Sequence, residues 1–294
     1  MYGCIDIGSN TTRLLVAEVS AGRVRALAAR RIFTRIGASL GADGAIPAEK
    51  VAETAQVAGA LAAEAAEMGT GRVVLLGTAA VRDASNADEL RAAVEAAAGI
   101  PMRVLDGDEE AQLSFAGARQ GLEDGVVERL AVVDVGGGST ELAVGPATGP
   151  AGWTTSLRVG SSVLCTRHPA SDPPSGDDLA AWHAAAEAAL DGVQPPPVDL
   201  ALAVGGTATS LHRLTGPRMT EESLERALER VCEHPSEQAA RNLDLDPERA
   251  RLLPAGIAVL AAVARRLGTG LRPARGGLRE GAVLELAGTT GVAS

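Results

Sequence analysis

Residues 132–145 read VVDVGGGSTELAVG, and this stretch decides the predicted fold. A short apolar run ends in Asp134 and three glycines, and the residues that follow alternate between polar and apolar. The first pattern is typical of a buried strand and the second of a strand with one polar face. The stretch therefore predicts a β-hairpin with a glycine-rich turn. A dinucleotide-binding fold is excluded, because its glycines have a different spacing and lead into a helix.

The same pattern occurs near the N-terminus, where residues 4–19 read CIDIGSNTTRLLVAEV. Both copies share the pattern Asp-x-Gly-x-x-[Ser/Thr]-Thr-x-Leu-x-Val. Agreement at so many special positions indicates an internal repeat, so we predict two related halves that each open with this hairpin. The predicted domains are residues 1–123 and 124–294, with a hinge at residues 121–125. The last helix is expected to pack back on the first domain.

The glycine turns are predicted to bind phosphate. Glycine accepts unusual backbone dihedrals that let several N–H groups converge on an anion, and the neighbouring hydroxyls add donors. The predicted phosphate-binding residues of the two hairpins are Gly8, Ser9, Asn10, Thr11, Gly136, Gly137, Gly138, Ser139 and Thr140. A third motif, VGGTATSL at residues 204–211, predicts a strand that leads into a helix. Its residues Gly205, Gly206 and Thr207 are expected to hold a second phosphate, because the first N–H groups of a helix attract anions.

An aspartate precedes each hairpin turn, and a carboxylate beside a phosphate needs a cation between them. At about 4 Å, two like charges repel by about 4 kcal/mol at an effective dielectric constant of about 20. Mg²⁺ binds carboxylates, waters and phosphate oxygens together. Asp6 and Asp134 are therefore predicted metal ligands that face each other across a cleft, with Mn²⁺ as the other possible ion. Glu141, which stands where the first copy has Arg13, is predicted as a further metal or water ligand with a supporting catalytic role.

The 294 residues carry a formal net charge of -10 and include 46% hydrophobic residues, which predicts a soluble cytoplasmic protein. An acidic chain is unsuited to general nucleic-acid binding, which uses a basic field, and the longest apolar stretches are too short for a membrane span. Lys50 is the only lysine, so no GxxxxGK motif exists and a P-loop nucleotide site is excluded. The three cysteines are scattered and odd in number, which favours free thiols.

Two such hairpins, each at the head of an α/β half, resemble the fold of actin, Hsp70 and the sugar kinases. Within that superfamily the chain most resembles the exopolyphosphatase and guanosine pentaphosphate phosphohydrolase family, in its short two-domain form. The segments that carry the resemblance are IDIGSNTTRLLV (5–16), GTAAVRDASN (77–86), DGDEEAQLSFAGA (106–118), VVDVGGGSTEL (132–142), SDPPS (171–175), VGGTATSL (204–211) and GGLREG (276–281). The resemblance implies two ribonuclease-H-like α/β domains with an interdomain cleft, and a homodimer.

The resemblance also implies roles for single residues. Arg82 matches the phosphate-contacting arginine of the family. Arg82 and Thr78 both follow a strand predicted at residues 73–77, and Thr78 is also predicted to bind phosphate. Hydrolysis of a phosphoanhydride needs a base for the attacking water, and the acidic run at the start of the next helix, with Asp108 as the expected N-cap, offers two candidates. Adjacent helical residues point about 100° apart, so only one faces the cleft. The match to the family's EEA motif selects Glu110 as the general base, with Glu109 as its solvated neighbour.

One position departs from the family pattern. Many members of the family have an arginine at a position that we align with Val163, in the segment GSSVLCTRH (160–168). If that arginine guides distal phosphates, long-chain substrates should bind more weakly here unless Arg158 or Arg167 substitutes. The remaining pattern predicts strands to about Val24, at Val73, at residues 102–105 and at Leu130, and helices at residues 47–68, 87–98, 248–267 and 277–286.

The predicted function is the Mg²⁺-dependent release of terminal phosphate from inorganic polyphosphate. The alternative within the family is removal of the 5'-phosphate of guanosine pentaphosphate (pppGpp). An alternative from another class is an actin-like protein that binds a nucleotide or alarmone without hydrolysing it. A sugar kinase is the remaining enzyme option. Glu110 argues against a pure binding protein, and no sugar pocket is identifiable in the sequence.

Overall fold

The computed structural model describes residues 1–41, 43–122 and 127–288. These residues form two compact units. Among the described residues, the first unit contains 1–41, 43–122, 148–150 and 276–288. The second unit contains 127–147 and 151–275. The predicted hinge at residues 121–125 lies largely outside the described residues. Within them, no helix has the length and apolar character needed to cross a bilayer.

The first unit is built on a five-stranded mixed sheet. Its strands are β1 (Tyr2–Ile7), β2 (Thr11–Ser20), β3 (Arg23–Phe33), β4 (Arg72–Gly77) and β5 (Met102–Val104). They lie in the order β3-β2-β1-β4-β5, with β2 antiparallel to its neighbours and β1, β4 and β5 parallel. The accompanying helices are α1 (Ile36–Ser39), α2 (Ala48–Glu67), α3 (Ala79–Arg82), α4 (Ala87–Ala98) and α5 (Gly107–Arg119).

The second unit repeats this plan. Its strands are β6 (Leu130–Val135), β7 (Thr140–Gly145), β8 (Trp153–Leu157), β9 (Leu200–Val204) and β10 (Leu271–Pro273). They lie in the order β8-β7-β6-β9-β10, with β7 antiparallel to its neighbours and β6, β9 and β10 parallel. The helices are α6 (Ser161–Arg167), α7 (Gly176–Ala188), α8 (Gly205–Thr215), α9 (Glu221–Cys232), α10 (Ser236–Leu243) and α11 (Pro247–Leu267). The shared strand order confirms two ribonuclease-H-like α/β units.

The last helix, α12 (Leu278–Leu286), belongs to the first unit, where it packs along α5. Glycines make this close approach possible. A Cβ atom on Gly117 would collide with the backbone of Gly277, and one on Gly281 would collide with the backbone of α5. The GGLREG segment therefore fixes the position of the helix that carries Glu110.

The first sheet has a different apolar core on each face. Ile5 and Ile7 of β1 pack in a cluster with residues of α2 and α4. Cys4 packs with Leu113 of α5 and with residues of α12. Side chains alternate along a strand, so Asp6 lies on the same face as Cys4. The predicted metal ligand and the helix of the predicted base therefore share one face of this sheet.

Most predicted elements match the structure. The predicted helices at residues 47–68, 87–98, 248–267 and 277–286 are confirmed, with ends that differ by at most one residue. The expectation that strands end at about Val24 is wrong, because β3 continues to Phe33. No residue of this edge strand is fully buried, so it lacks the apolar alternation by which a strand is recognised.

Candidate functional site

The N-terminal copy of the repeat forms the predicted β-hairpin. The Gly8 N–H donates to the Thr11 carbonyl oxygen at 3.0 Å and closes the turn between β1 and β2. Two N–H groups from the segment after β3 hold the turn from outside: Arg35 donates to the Asn10 carbonyl at 3.0 Å and Gly37 to the Ser9 carbonyl at 2.8 Å. The turn carbonyls are thus bonded within the unit, which fixes the path of the turn backbone.

The second copy forms the same turn between β6 and β7. The Gly136 N–H donates to the Ser139 carbonyl at 3.0 Å. Here the external donors come from the first turn of α6: Ser161 donates to the Gly136 carbonyl and Ser162 to the Gly137 carbonyl, both at 3.0 Å. In both copies, therefore, the hairpin turn is stabilised by the segment that follows the next strand of the sheet, which is β3 in the first unit and β8 in the second.

The turn glycines do not adopt left-handed dihedrals, and the second turn is closely packed by the segment beside it. Neither Gly8 nor residues 136–138 have a positive φ, so that part of the prediction is wrong. A Cβ atom on Gly160 would lie only 2.5 Å from the Gly137 carbonyl oxygen. Val163, at the position of the family's frequent arginine, donates its own N–H to that same carbonyl at 3.0 Å. The segment that packs against the second turn therefore requires a residue without a side chain at Gly160.

The residues opposite the two aspartates differ in charge. Asp6 is the direct cross-strand partner of Arg13, and Asp134 is the partner of Glu141. Direct partners on an antiparallel pair have Cβ atoms about 5 Å apart. The Arg13 Nε also donates to the Thr11 hydroxyl at 2.9 Å. The first hairpin therefore places a cation beside its aspartate, and the second places a further carboxylate there.

The carboxyl ends of three parallel strands meet beside the first turn. The Thr78 N–H donates to the Ile7 carbonyl at 3.2 Å and joins the end of β4 to that of β1. The Leu105 N–H donates to the Gly77 carbonyl at 2.9 Å and joins β5 to β4. The Thr78 hydroxyl oxygen lies 3.8 Å from the Cβ position of Gly8. The structure thus brings Thr78 and the first glycine turn together, at the strand ends where α/β sheets bind ligands.

Arg82 and Glu110 also meet at these strand ends. Arg82 Nη1 donates to Glu110 Oε1 at 2.9 Å and to the Leu105 carbonyl oxygen at 2.7 Å. Glu110 is 4% exposed, whereas the Arg82 side chain is partly exposed. A buried carboxylate is retained only when it is paired or hydrogen-bonded. Arg82 supplies such a partner and fixes the orientation of the carboxylate.

The neighbouring Glu109 has a different task. Asp106 and Glu109 form a reciprocal capping box at the start of α5, with bonds of 2.8 and 2.9 Å. Asp106, rather than the expected Asp108, is therefore the N-cap. The Glu109 Oε1 also accepts from Arg103 Nη2 at 2.7 Å, so this side chain is bonded and only partly exposed, where the sequence analysis expects it to be solvated. The two glutamates are thus clearly distinguished by burial and partners.

The third glycine motif lies against the predicted metal ligand of the second unit. Gly205, with φ 86°, is the first residue of α8, and a Cβ atom there would lie 2.5 Å from Asp134 Oδ1. Thr207 is buried where α8 crosses Gly256 of α11. The structure therefore brings the start of α8 and Asp134 together, while the Thr207 side chain is packed inside the unit.

Arg249 is a candidate site residue that the sequence analysis missed. It is buried in the first turn of α11, and its guanidinium would collide with a Cβ atom on Gly206. A buried guanidinium beside a predicted phosphate-binding glycine is suited to an anion site. Local sequence does not distinguish it from Arg251, which is more exposed and pairs with Glu248.

Buried threonines stabilise both hairpins. The Thr140 hydroxyl donates to the Val159 carbonyl at 2.6 Å, and the equivalent Thr12 hydroxyl lies 3.1 Å from the Thr34 hydroxyl. Thr12, Thr34 and Thr140 are fully buried. The hydroxyl hydrogen of Thr140 is therefore already used within the second unit, although the sequence analysis places this residue among the phosphate donors.

The SDPPS segment at residues 171–175 stabilises two helix starts. The Asp172 carboxylate accepts from the Ser236 N–H and hydroxyl, both at 2.7 Å, at the first residue of α10. Ser175 and Asp178 form a capping box on α7. Hydrogen bonds from Ser175 and Ser171 lower the pKa of Asp178 to about 2. This motif therefore serves local structure within the second unit.

Asp134 and Glu141 suit a hard divalent cation. The Glu141 side chain is 5% exposed and accepts from the Ser156 hydroxyl at 2.9 Å, which orients its carboxylate. Two carboxylates, completed by waters and phosphate oxygens, are a donor set that Mg²⁺ accepts. The residues described contain no group of three Asp, Glu, His or Cys side chains that would hold a metal alone. The assignments of Asp6, Asp134 and Glu141 as metal ligands stay predictions, as does the homodimer.

Comparison with known proteins places this architecture among phosphatases. The sequence model of the Ppx/GppA phosphatase family matches residues 15–290. The crystal structure of a Ppx/GppA family member from Aquifex aeolicus is 25% identical, with a TM-score of 0.82 over 99% of each chain. An exopolyphosphatase-like protein (24% identity, TM-score 0.86, 97% of this chain and 98% of that one) and an exopolyphosphatase from Cytophaga hutchinsonii (22%, 0.82, 98% of each) share the fold.

Proposed function

Because the chain belongs to the Ppx/GppA phosphatase family, we propose that it is an exopolyphosphatase, which hydrolyses the terminal phosphoanhydride of inorganic polyphosphate with Mg²⁺. The observation that carries the proposal is the contact between Arg82 and the buried Glu110 beside the first glycine turn. A phosphate-binding cation and a base on neighbouring elements are what hydrolysis requires.

The residues of the first unit would bind the terminal phosphate. The N–H groups of Ser9 and Asn10 would donate to its oxygens, and Arg82 would neutralise part of its charge. The Gly8 N–H, which the sequence also suggests as a donor, is already used to close the turn. Guanidinium groups suit this task because their forked N–H donors match pairs of phosphate oxygens. In the second unit, the N–H groups of Gly137 and Gly138 and the start of α8 at Gly205 and Gly206 would bind phosphate in the same way, while the Gly136 N–H closes the turn.

Glu110 is the proposed general base. Its Oε1 is held by Arg82, so we assign Oε2 as the atom that accepts the proton. The water oxygen forms a bond to the terminal phosphorus, the water proton passes to Glu110, and the bridging oxygen leaves with the electron pair of the broken P–O bond. Positioning and charge stabilisation supply most of the rate acceleration in such reactions.

Asp134 and Glu141 are the proposed Mg²⁺ ligands of the second unit, and Asp6 is the proposed ligand of the first. The bound ion would neutralise negative charge on the phosphate oxygens. Asp134 is suited to this role because its Oδ1 lies against the start of α8, where a Cβ atom on Gly205 would be only 2.5 Å away.

The experiment that tests the proposal measures phosphate release from long-chain polyphosphate, tripolyphosphate, pppGpp and ATP, with and without Mg²⁺. Polyphosphate should be the preferred substrate, and Mg²⁺ should be required. Glu110→Gln should lower kcat by about 10²–10⁴-fold, because it removes the base but keeps the shape of the side chain.

Glu109→Gln is the matched control. Glutamine retains the capping interaction, so this variant should fold and keep most of its turnover. The reverse pattern, with Glu109→Gln inactive and Glu110→Gln active, would contradict the assigned base. Rapid ATP hydrolysis with inert polyphosphate would refute the exopolyphosphatase, and preferred cleavage of pppGpp would favour the other activity of the family.

A further inference from the structure

The edge strand β3 is basic in an acidic protein. It carries four arginines and no acidic residue, although the chain has a net charge of -10. Its arginines divide between the two faces of the sheet. Arg30 lies opposite Leu14, on the face covered by α2, where its Nη2 pairs with Glu64 Oε1 at 2.6 Å. Arg31 lies on the other face and is exposed.

Arg31 continues the row of charged residues that begins at the first hairpin. Asp6 is the direct partner of Arg13, and Arg13 is the direct partner of Arg31. Direct partners share a face, and neighbouring strands lie about 4.8 Å apart, so the Cα atom of Arg31 is about 10 Å from that of Asp6. A chain of phosphates that leaves the first glycine turn along this row would therefore reach Arg31.

A second arginine joins Arg31 beside the same turn. The guanidinium carbons of Arg31 and Arg35 lie 5.2 and 5.5 Å from the centre of the Phe33 ring. Phe33 is the direct partner of Thr11, the residue that closes the turn. Arg35 is itself tied to the turn through its N–H bond to the Asn10 carbonyl, and it has a φ of 52°, which non-glycine residues seldom adopt.

We propose that Arg31 and Arg35, held on the Phe33 ring, form a subsite for the phosphate groups that follow the terminal one in inorganic polyphosphate. The inference rests on the proposed function and deepens it. Long-chain polyphosphate would bind along a surface within the first unit. Arg31 and Arg35 would there provide the positive charge that the second unit lacks at Val163.

Charge and geometry favour an inorganic phosphate chain as the occupant. Two guanidinium groups lie on one aromatic ring, and an anion with several oxygens can accept forked hydrogen bonds from both. The contact with the ring reduces the rotamer freedom of the arginines, so less entropy is lost when they bind. The Phe33 ring already contacts two cations, which makes it less available for stacking with a nucleic-acid base.

The test compares long-chain polyphosphate with tripolyphosphate in the double variant Arg31→Gln with Arg35→Gln. The ratio of kcat/KM for the long chain to that for tripolyphosphate should fall by about tenfold, the loss expected when charged contacts to phosphate are removed. Arg30→Gln is the matched control, because it removes a charge from the adjacent residue on the opposite face and should leave the ratio unchanged. Circular dichroism checks that each variant is folded.

Direct binding separates this proposal from the proposed function. Calorimetry with long-chain polyphosphate on Glu110→Gln, with and without the two arginine substitutions, should show a Kd about tenfold weaker without the arginines. The subsite would be overturned if the Kd is the same with and without the two arginines. It would also be overturned if kcat/KM falls equally for long-chain polyphosphate and tripolyphosphate. Binding that depends on Arg31 and Arg35 in a protein that does not hydrolyse polyphosphate would retain the subsite and refute the exopolyphosphatase. Equal competition by an oligothymidylate would reassign the surface to nucleic acid.

Discussion

The two glycine hairpins have the same backbone and opposite chemistry beside their aspartates. In the first hairpin Asp6 is paired with Arg13, and in the second Asp134 is paired with Glu141. Both turns close with a 3.0 Å bond from the first glycine N–H and both are held from outside by a following segment. The repeat therefore provides two equivalent turns that we propose to bind phosphate, and a single position distinguishes a proposed arginine contact from a proposed metal contact.

The neighbouring elements extend this division. Arg82, Arg31 and Arg35 surround the first turn with guanidinium groups. The second turn has the carboxylate pair, a buried arginine and the start of α8. Each of the following predictions changes one residue in or beside one hairpin and uses a matched residue in or beside the other hairpin as its control.

The largest expected effect follows from Glu141→Gln. If the second hairpin binds the metal, removal of this carboxylate should lower kcat by about 100-fold at fixed Mg²⁺ and raise the half-saturating Mg²⁺ concentration, because metal sites lose roughly 10–100-fold in affinity or activity when supporting groups are removed. The measurement is the rate of phosphate release as a function of Mg²⁺, with calorimetry of Mg²⁺ binding as a readout that needs no turnover.

Arg13→Gln is the control in the first hairpin. It should raise KM for polyphosphate and leave the half-saturating Mg²⁺ concentration as it is, since the lost group is a phosphate-facing cation. If the half-saturating Mg²⁺ concentration changes in Arg13→Gln and not in Glu141→Gln, the ion would be assigned to the first hairpin, and the roles proposed for the two hairpins would be exchanged.

A smaller effect is expected from Gly160→Ala. The new Cβ atom would lie 2.5 Å from the Gly137 carbonyl oxygen and 2.8 Å from the Gly138 nitrogen. These are backbone atoms that cannot move without displacing the turn. We expect a loss of about 1–3 kcal/mol in the free energy of unfolding. Gly37→Ala, near the first turn, should cost less, because its Cβ atom would meet the Ser9 Cβ at 3.1 Å, and a small shift of Ser9 relieves this contact.

Urea unfolding can separate these two variants by location. Both tryptophans, Trp153 and Trp182, lie in the second unit, so tryptophan fluorescence reports on that unit alone. Gly160→Ala should lower the fluorescence midpoint, whereas Gly37→Ala should change the midpoint seen by far-ultraviolet circular dichroism with little change in fluorescence. An unchanged fluorescence midpoint in Gly160→Ala would show that the turn tolerates a side chain there.

The sequence predicts the hairpins and both aspartates because this information is local and repeated. Alternation, the glycines and the copied spacing all lie within 14 residues, 132–145. The packing around the turn is not local, since a side chain on Gly160 would meet the carbonyl oxygen of Gly137. The sequence therefore predicts the turn, while the segment that packs against it is visible only in the structure.

The other differences have separate physical origins. Three acidic residues in a row made Asp108 a plausible cap, while the structure uses Asp106, whose partner Glu109 is also held by Arg103 of β5. Strand β3 has no buried side to produce a periodic pattern. Arg249 becomes distinctive only where α11 meets Gly206. The position of Arg249 depends on a contact between distant segments, of which a single sequence contains no local trace, whereas the Asp106 cap is formed with Glu109 three residues along the chain.

The smallest effect is expected from Thr140→Val, which tests whether the threonine after the second turn serves the fold. Its hydroxyl donates to the buried Val159 carbonyl at 2.6 Å, and valine would leave that oxygen without this donor. We expect a loss of about 1 kcal/mol, within the usual cost of an unmade buried hydrogen bond, measured as a lower midpoint of tryptophan fluorescence in urea. Thr140→Ser keeps the hydroxyl and should retain most of this stability.

Thr12→Val is the equivalent change in the first hairpin. Thr12 shares its bond with the Thr34 hydroxyl, which can rotate toward another acceptor where a carbonyl oxygen cannot, so the stability loss should be smaller than for Thr140→Val. If Thr140→Val is as stable as the wild type and its KM for polyphosphate rises, the hydroxyl contacts phosphate instead. The second turn would then recognise its ligand through a side chain that the first turn lacks, because the equivalent Thr12 hydroxyl is buried against Thr34.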